Sequence, residues 1–520
     1  MSSRIPPILR PEHPTPRPLA WLVQEFELEY RGDLDGVEVT GVTLSTNDLH
    51  PGDLFVGVPG SKTHGAGFAT AAAEGGAVAI VTDEAGAELA ADSGLPIVLV
   101  PSPRAALGEI AAWVYRTDDA PPLLFGVTGT NGKTSTSYLL EAVLRQLGLV
   151  TGLSTTAERH IGDLSVVSLL TTPEASEMHA LLARMREAGV RAVAVEVSAQ
   201  ALSRHRVDGL VFDVAGFTNL SHDHLDDYAN MEAYFAAKLP LFEPEHARRG
   251  VVCRDTAYGR RVVEASRIPV TTIATVGHAS PEDVAGAEWT VEVLDETAGY
   301  TEFRLTGPDG RELITREPLI GWHMAANAAL AIVMLVEAGF ELEAIGAALD
   351  ADGGIQAYLP GRTERVSGDR GPSVYVDFGH SPDAFENTLA AVRKFTTGRT
   401  IMVFGADGDR DATKRHDMGR VAAEGSDILV ITDHHPRFED PVSIRKTLLE
   451  GAALAEHQPE IHEVSPPEQA IRVAVGLARE GDSILWAGPG HQDYRDIRGV
   501  RTPYSAREEA RAALREAGWA

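Results

Sequence analysis

The sequence is poor in cysteine, in positive charge and in long apolar runs. Cys253 is the only cysteine among 520 residues, which excludes an intrachain disulfide framework and a cysteine-based zinc site. The 46 lysines and arginines stand against 75 aspartates and glutamates, giving a net charge of −29. So acidic a chain repels phosphate backbones, and we expect no nucleic-acid partner.

No uninterrupted apolar run approaches the ~18–20 residues that a membrane-spanning helix needs. We therefore expect no membrane span and a cytoplasmic protein, which fits the single thiol. Six prolines between residues 6 and 18 predict an extended N-terminal arm rather than the apolar core of a signal peptide.

The length predicts three or four domains, and two boundary segments favour three. A hydrophobic core stops growing near roughly 250–300 residues, so this chain needs more than one. A polar, proline-containing segment (116–122) and a glycine-rich segment (351–361) indicate the boundaries. We predict an N-terminal arm and domain over 1–119, a central domain over 120–357 and a C-terminal domain over 358–520.

Short apolar runs alternate with helical patterns, which predicts an α/β fold with mostly parallel sheets. Several runs are continuously apolar, as expected for strands buried on both faces. The predicted strands are 77–82, 123–128, 192–197, 211–218, 375–377, 401–404, 428–432 and 484–487. The clearest predicted helices are 135–147, 324–338 and 506–517.

A glycine-rich loop stands between the predicted strand 123–128 and the helix that follows. It consists of Gly129, Thr130, Asn131, Gly132, Lys133 and Thr134, with Thr136 two residues later. Glycines let backbone N–H groups turn toward phosphate oxygens, and the helix N-terminus adds positive potential. Lys133 would reach the β- and γ-phosphates, and the Thr134 hydroxyl would ligate Mg²⁺. The loop predicts nucleotide binding but leaves kinase, ATPase, switch and ligase open.

Acidic and histidine residues lie at the ends of two further strands. Glu196 lies near the end of strand 192–197, and His224 follows strand 211–218. Carboxyl ends of parallel strands face the ligand crevice, so both are candidate Mg²⁺ ligands, with a solvated acidic loop as the alternative. Lys238 lies in the predicted helical stretch 231–242, where a lone lysine is typically a surface side chain.

Taken together, these motifs resemble the Mur ligase family. The matching segments are GTNGKT (129–134), TTPE (171–174), EVSAQAL (196–202), RVDGLVFDVAGFTNLSHDHLD (206–226) and MEAYFAAKLPLF (231–242). The resemblance runs from about residue 38 to the C-terminus. Order and spacing are most similar to the MurE type, which adds the third residue of the peptidoglycan stem peptide.

The resemblance implies a central P-loop ATPase-like sheet, a C-terminal Rossmann-like domain and an ATP-dependent amide ligase. Such a ligase joins a free amino acid to UDP-MurNAc-L-Ala-D-Glu through an acyl phosphate and uses ATP and Mg²⁺. Lys238 is expected to be carbamylated, which turns a cation into an anionic oxygen donor. The implied catalytic residues are Lys133, Glu196, His224 and Lys238, and the implied metal ligands are Thr134, Glu196, His224 and the Lys238 carbamate.

Further binding residues follow from the same resemblance. Those implied for ATP outside the loop are Asn327, Arg362, Asp377 and His380. Those implied for UDP-MurNAc-dipeptide are Leu44, Thr46, Thr171, Thr172, Ser198 and Arg206. The sequence departs from the family at 45–47, where Ser-Thr-Asn replaces the common Asp-Ser-Arg.

The incoming amino acid is implied to meet a set of residues near the C-terminus. These are Arg410, His434, His435, Arg437, Gly488 and Gln492. Diaminopimelate-adding relatives carry Asp-Asn-Pro-Arg where this chain has His-His-Pro-Arg, and a glutamate where it has Gln492. Arg437 favours a distal carboxylate, as in meso-diaminopimelate, whereas the other changes indicate an altered pocket. Lysine, ornithine, diaminobutyrate and homoserine stay open.

Two alternatives differ from this interpretation. One is another Mur or folylpolyglutamate-type ligase. The other is a nucleotide-dependent switch or binding module that does not ligate, although such a protein has no use for Glu196, His224 and Lys238 together. We expect a monomer.

Overall fold

Three large sheets with flanking helices and two small two-stranded sheets make up the described chain, and they confirm the predicted α/β class. The computed structural model describes residues 8–60 and 62–519. Within those ranges, no helix has the length and apolarity needed to cross a bilayer. The boundaries near residues 120 and 357 remain predictions, since a sheet does not by itself delimit an independent folding unit.

The N-terminal part of the chain forms a five-stranded sheet with helices beside it. Its elements are β1 (Arg17–Pro18), α1 (Leu19–Glu25), β2 (Glu29–Arg31), β3 (Glu38–Val39), β4 (Gly41–Thr43), β5 (Asp53–Val56), α2 (Ala69–Glu74), β6 (Ala79–Thr82), α3 (Glu84–Ala90), β7 (Ile97–Leu99) and α4 (Pro103–Tyr115). The sheet order is β2-β7-β6-β5-β4, with β2 antiparallel and the rest parallel, while β1 pairs with β3.

The proline-containing arm before β1 is held by side chains rather than by regular structure. Residues 8–16 form no helix or strand. Arg10 donates to both carboxylate oxygens of Asp53 at 2.7 and 2.8 Å. Two backbone N–H groups of the arm donate to the Glu187 carboxylate at 2.8 and 2.9 Å. Pro6 and Pro7 lie outside the described residues.

The central part forms an eleven-stranded mixed sheet. Its elements are β8 (Leu123–Thr128), α5 (Lys133–Gln146), β9 (Thr151–Ser154), β10 (Glu158–Ile161), β11 (Leu164–Val167), α6 (Ala175–Glu187), β12 (Ala192–Glu196), α7 (Ala199–Ser203), β13 (Val214–Phe217), α8 (Met231–Ala236), β14 (Gly250–Cys253), α9 (Ala257–Ala265), β15 (Val270–Thr275), α10 (Pro281–Ala285), β16 (Trp289–Thr297), β17 (Tyr300–Thr306), β18 (Glu312–Glu317), α11 (Trp322–Glu337) and α12 (Leu342–Asp352). The order is β11-β10-β9-β12-β8-β13-β14-β15-β16-β17-β18, parallel from β9 to β16 and antiparallel outside.

Burial on both faces explains why the central strands are continuously apolar. Phe125 and Val127 of β8 pack into one core with α5 and α11. Leu124, which precedes Phe125 and points to the opposite face, packs into a second core with α6. Successive side chains of a strand point to opposite faces, so both sets must be apolar.

The C-terminal part forms a six-stranded sheet and a hairpin. Its elements are β19 (Glu364–Arg365), β20 (Ser373–Asp377), α13 (Pro382–Phe395), β21 (Thr400–Phe404), α14 (Arg415–Glu424), β22 (Ile428–Ile431), α15 (Pro441–Ala452), β23 (Glu460–Glu463), α16 (Pro467–Leu477), β24 (Ser483–Ala487), β25 (Tyr494–Ile497), β26 (Val500–Pro503) and α17 (Ala506–Glu516). The sheet order is β19-β20-β24-β21-β22-β23, parallel except for β19, and β25 pairs with β26.

The predicted elements are confirmed with small differences at their ends. The eight strands correspond to β6, β8, β12, β13, β20, β21, β22 and β24, and the three helices to α5, α11 and α17, with ends displaced by at most three residues. The helical stretch predicted over 231–242 is wrong as a single helix. It breaks after α8 and resumes as a 3-10 turn over Leu239–Phe242. Pro240 has no N–H for a continuing α-helical bond, and Lys238 lies at the break.

Candidate functional site

The glycine-rich loop after β8 is shaped for a close approach by a ligand. Gly129 has φ +147°, and a Cβ there would lie 1.9 Å from the Thr218 hydroxyl oxygen. Gly132 has φ +85°, and a Cβ there would lie 2.5 Å from Asn327 Oδ1. Lys133 begins α5, and its ammonium donates to the carbonyl oxygens of Gly129 and Thr130 at 3.1 and 2.9 Å. Burial lowers the pKa of Lys133.

Glu196 joins the loop to the neighbouring strand. Parallel pairing sets Glu196, at the end of β12, opposite Val127 of β8. Its Oε2 accepts hydrogen bonds from the Thr134 hydroxyl at 2.9 Å, and from the backbone N–H and the hydroxyl of Thr156 at 2.9 and 3.0 Å. Its Oε1 lies 3.9 Å from Lys133 Nζ. A carboxylate therefore stands beside the predicted phosphate lysine and metal hydroxyl.

Lys238 is buried, with 1% of its surface exposed, so the surface role expected from spacing alone is wrong. Its Nζ donates to the Gly129 carbonyl oxygen at 2.8 Å and lies 4.5 Å from the centre of the Tyr234 ring. Burial lowers the pKa of Lys238 well below its usual value, and the cation of Lys133 lowers it further. Both effects shift the protonation equilibrium toward the neutral amine, the nucleophilic form of lysine.

His224 lies in the loop after β13 with a left-handed backbone, φ +57°. Its Nδ1 lies 3.1 Å from Gln200 Nε2, and its Nε2 lies 3.8 Å from Asp223. Burial lowers the pKa of His224 to about 4, so the ring is neutral at pH 7 and able to ligate a metal. Asp226 and Asp227 each place an oxygen within 4.8 Å of a His224 nitrogen.

Side chains of the C-terminal part of the chain contact both the glycine-rich loop and the loop that follows β13. Arg362 Nη2 donates to the Thr134 hydroxyl at 2.8 Å. Asn131 Nδ2 donates to Asp383 at 2.9 Å. Lys414 Nζ donates to Asp223 Oδ1 at 2.6 Å. The candidate site therefore lies between the central and C-terminal sheets.

The other residues implied for ATP have different surroundings. Asn327 of α11 is buried below Gly132. Asp377 ends β20 and accepts from the backbone N–H groups of Thr363 and Gly379 at 2.7 and 2.6 Å, so it shapes the loop that bears Arg362. His380 Nε2 lies 3.7 Å from Asp223, and burial lowers the pKa of His380.

The residues implied for the dipeptide meet at the end of β12. The Thr172 hydroxyl donates to the Glu196 carbonyl oxygen at 2.7 Å and accepts from the Ser198 N–H at 3.2 Å. Arg206 donates to the Thr172 carbonyl oxygen at 3.3 Å. The Thr171 hydroxyl oxygen lies 3.0 Å from the Thr156 hydroxyl oxygen.

The residues implied for the uridine part lie apart from this cluster. Leu44 and Thr46 follow β4 in the N-terminal sheet, and Leu44 packs against that sheet's core. The two parts are joined by packing, because Ala175, Ala180 and Ala183 of α6 lie in the same hydrophobic core as the N-terminal sheet.

The residues implied for the amino acid gather where β21, β22 and β24 end. His434 Nδ1 lies 2.7 Å from Asp407 Oδ1, and Arg437 Nη2 donates to Asp407 Oδ2 at 3.2 Å. His435 Nε2 lies 2.8 Å from Gln492 Oε1. A Cβ at Gly488 would lie 3.8 Å from the His434 ring. Arg410 stands apart from this group, 4.0 Å from Asp226.

Sequence reasoning missed three members of the site. Thr156 binds Glu196 with two donors, Lys414 pairs with Asp223 across the sheets, and Asp407 binds His434 and Arg437. Lys414 and Asp407 both lie in the polar segment after β21, and that polar composition could have identified them as candidate site residues. Thr156 had none, since a lone threonine after a strand is ordinary.

Comparison with known proteins identifies relatives along the whole chain. Three family models match: Mur ligase family, catalytic domain, over 38–115; Mur ligase middle domain over 127–335; and Mur ligase, glutamate ligase domain, over 361–490. The chain is 63% identical over 519 residues to a UDP-N-acetylmuramyl-tripeptide synthetase of Leifsonia xyli subsp. xyli, with 100% of each covered.

Two further comparisons concern ligases named for one amino acid. The chain is 42% identical over 509 residues to a UDP-N-acetylmuramoyl-L-alanyl-D-glutamate--2,6-diaminopimelate ligase of Streptomyces avermitilis, covering 98% of each. A solved structure of a UDP-N-acetylmuramoyl-L-alanyl-D-glutamate--2,6-diaminopimelate ligase is similar with a TM-score of 0.64 at 25% identity, covering 95% of this chain and 99% of that one.

Proposed function

This chain belongs to the Mur ligase family and is an ATP-dependent ligase, and we propose that it adds the third amino acid of the peptidoglycan stem peptide to UDP-MurNAc-L-Ala-D-Glu. The reaction consumes ATP, so we place it in the cytoplasm. The monomeric state stays a prediction.

One observation carries the proposal: Glu196 binds Thr134 and lies beside Lys133, while Lys238 is buried against the carbonyl oxygen of Gly129 in the same loop. Nucleotide binding by the loop does not require a buried lysine such as Lys238. Its presence beside Lys133 and Glu196 suits a phosphoryl transfer, in which charge develops between the phosphoryl donor and its acceptor.

The loop fits the phosphates of ATP. The Thr136 hydroxyl is buried and has no hydrogen-bond partner among the described residues. Lys133 donates only to carbonyl oxygens of its own loop, bonds that it can exchange for phosphate oxygens. Arg362 donates to the Thr134 hydroxyl, so its positive charge would lie beside the negative charge of a bound γ-phosphate.

The donor set also fits Mg²⁺, which prefers oxygen ligands. Thr134 and Glu196 supply two oxygens, and His224 is neutral and available at the rim. When bound, the ion would neutralise phosphate charge and polarise the transferred group.

Lys238 is carbamylated in this proposal. A neutral amine attacks CO₂, a C–N bond forms, one C–O π bond opens, and the nitrogen loses a proton to give an anionic carbamate. Burial favours the neutral amine, and the nearby cation of Lys133 favours the anionic product. The modified side chain would supply the oxygen ligand that an ammonium group cannot.

The chemistry then proceeds in two displacements. The D-Glu carboxylate oxygen attacks the γ-phosphorus of ATP, the bond to the bridging oxygen breaks, and ADP leaves. The amino nitrogen of the incoming amino acid attacks the acyl carbon, inorganic phosphate leaves with the electron pair of the C–O bond, and the nitrogen loses a proton. Lys133 and Arg362 hold the phosphate charge, while Thr172, Ser198 and Arg206 orient the dipeptide.

Product formation tests the proposal. Purified protein receives ATP, Mg²⁺, UDP-MurNAc-L-Ala-D-Glu and a mixture of amino acids, and mass spectrometry follows the nucleotide-peptide. We expect a tripeptide product and one ADP per product. ATP hydrolysis without any amino acid would favour a switch, and product from a folate acceptor instead would favour a folylpolyglutamate-type ligase.

A further inference from the structure

Arg10, in the arm before β1, forms a buried ion pair with the first residue of β5. Its Nη1 donates to both carboxylate oxygens of Asp53 at 2.7 and 2.8 Å. The two side chains keep only 11% and 1% of their surfaces exposed. Among the described residues, Arg10 is the one cation within 4.0 Å of this carboxylate. A buried charge is costly without its partner, so Asp53 depends on a residue of the arm.

The same pair holds the loop between β4 and β5. Arg10 Nη2 donates to the Asp48 carbonyl oxygen at 2.8 Å. Asp53 Oδ2 also accepts from the backbone N–H of His50 at 2.9 Å. This loop carries Thr46, one of the two residues implied for the uridine part of the substrate. Arg10 and Asp53 therefore fix the loop two to four residues after Thr46.

A glycine makes room for the ion pair. Gly41 begins β4, and a Cβ there would lie 2.3 Å from Asp53 Oδ1 and 2.9 Å from Arg10 Nη1. The Tyr115 hydroxyl would lie 3.2 Å from the same Cβ, and it accepts from the Val42 N–H at 3.2 Å. The pair is thus enclosed by β4 and by the end of α4, where solvent screens charge-assisted hydrogen bonds only weakly.

The neighbours of Arg10 in the arm are anchored on the central part of the chain. Leu9 packs against the core that includes α6. Two backbone N–H groups of the arm donate to the Glu187 carboxylate at the end of α6. That helix begins directly after the segment 171–174, which contains residues implied for the dipeptide. Arg10 therefore connects the loop at the uridine end of the substrate with the helix at its dipeptide end.

We propose that Arg10 is a positioning residue for the nucleotide end of UDP-MurNAc-L-Ala-D-Glu. It acts through Asp53 and the Asp48 carbonyl oxygen, which hold the loop bearing Thr46 in its binding conformation before the substrate arrives. Its effect is on affinity rather than on the chemical step, because the reacting D-Glu carboxylate lies at the other end of the substrate. The inference rests on the proposed function and adds a residue of the arm to that substrate site.

Arg10→Gln tests the proposal in the full chain, with ATP, Mg²⁺ and the amino acid that the wild-type protein uses. Assays run below the melting temperature of every variant. We expect the KM for UDP-MurNAc-L-Ala-D-Glu to rise about 10- to 100-fold, as for the loss of charge-assisted hydrogen bonds, with kcat and the KM for ATP unchanged. Arg10→Lys keeps the charge but cannot make all three hydrogen bonds, so it should recover part of the loss.

Arg31→Gln is the matched control. Arg31 also forms an ion pair in the N-terminal sheet, with Glu88 at 2.9 Å, but its side chain is 41% exposed. It belongs to β2, at the opposite edge of the sheet from β4. We expect this variant to leave every KM unchanged.

A truncated acceptor separates positioning from general damage to the fold. MurNAc-L-Ala-D-Glu 1-phosphate lacks the uridine monophosphate part, so Arg10→Gln should leave its kcat/KM unchanged. Equal losses with both acceptors, or an unchanged KM for the full acceptor in a folded variant, would overturn the proposal. If Arg10→Gln does not fold, the same comparison in Arg10→Lys decides, and if the wild type rejects the truncated acceptor, the KM values of the two variants decide. No product from the wild type with either acceptor would instead overturn the ligase function.

Discussion

The guanidinium of Arg362 donates a 2.8 Å hydrogen bond to the hydroxyl of Thr134, and so joins the C-terminal sheet to the phosphate loop of the central sheet. The same hydroxyl donates to Glu196 at 2.9 Å. One threonine thus links a cation from one sheet with a carboxylate from another. In the proposed mechanism, both contacts lie beside the phosphoryl group that is transferred.

Replacing Arg362 should therefore impair chemistry more than folding. We expect Arg362→Ala to lower kcat about 10²- to 10³-fold, as for the loss of a preorganised charge at a transition state. Arg365→Ala removes an arginine three residues away whose guanidinium donates to Ser367 and Gly368, and it should leave kcat unchanged. Steady-state kinetics with ATP as the varied substrate measures both. Equal effects of the two variants would contradict the role of Arg362.

Gly129 should not tolerate a side chain. A Cβ at this position would lie 1.9 Å from the Thr218 hydroxyl, and its φ of +147° is rarely adopted by other residues. We expect Gly129→Ala to displace the loop, raise the KM for ATP at least about 10-fold and lower the melting temperature.

Gly148→Ala provides the control for Gly129→Ala. Gly148 also has positive φ, +83°, but no heavy atom of the described residues lies within 4 Å of its added Cβ. The control should cost about 1 kcal/mol of stability through backbone strain and leave the KM for ATP unchanged. If both variants bound ATP normally, the close approach at Gly129 would have no part in nucleotide binding.

Lys238→Gln should abolish the proposed carbamate while keeping a polar side chain of similar length. We expect a fall in kcat of about 10²-fold or more, because the site loses an anionic ligand. Carbon-13 bicarbonate should give a carbamate signal in the wild-type protein by NMR, and the signal should vanish in Lys238→Gln. Lys446→Gln, at an exposed lysine, should keep both signal and activity. A wild-type protein without the signal would remove the carbamate from the mechanism.

The free energy of unfolding should depend on pH because the folded protein buries the His160 cation. Burial alone would lower the pKa of His160, but hydrogen bonds to Glu141 and Glu158 raise it to about 9. Because the folded-state pKa lies above the unfolded value, the stabilisation is complete below about pH 6.5 and is lost as pH rises through about 9. We expect a loss of about 2–3 kcal/mol over that interval from this group.

Thermal or urea unfolding at several pH values measures this effect. His160→Gln should lower stability at pH 7 and flatten the decline between about pH 6.5 and 9. A decline of the same size in the variant would assign it to other groups.

Local sequence patterns predicted much of the fold, and the structure shows why. β8 and β12 are apolar on both faces, so their composition alone identifies them as central strands. The glycine-rich loop also follows from local sequence, since φ of +147° and +85° is what glycine permits at Gly129 and Gly132.

The burial of Lys238 could not be predicted from spacing. A lysine next to Ala237 in an apolar stretch has the local pattern of a surface side chain. The break between α8 and the following 3-10 turn places the Lys238 ammonium within hydrogen-bond distance of the Gly129 carbonyl oxygen. Asp407 and Lys414 were missed for a similar reason. Their partners, His434 and Asp223, lie 27 and 191 residues away in the chain.

The sequence by itself determined the strands, the phosphate loop and the membership of the family, because these depend on burial and backbone conformation within short segments. Which charged side chains contact each other was determined only by the tertiary structure. Parallel pairing aligned the ends of β8 and β12, and packing of the two sheets brought Arg362 to Thr134 and Lys414 to Asp223. Coulomb energy depends on the distance between two charges and on their burial, not on their separation along the chain. The lowered pKa of Lys238 and the pairing of Arg437 with Asp407 are therefore properties of the folded molecule alone.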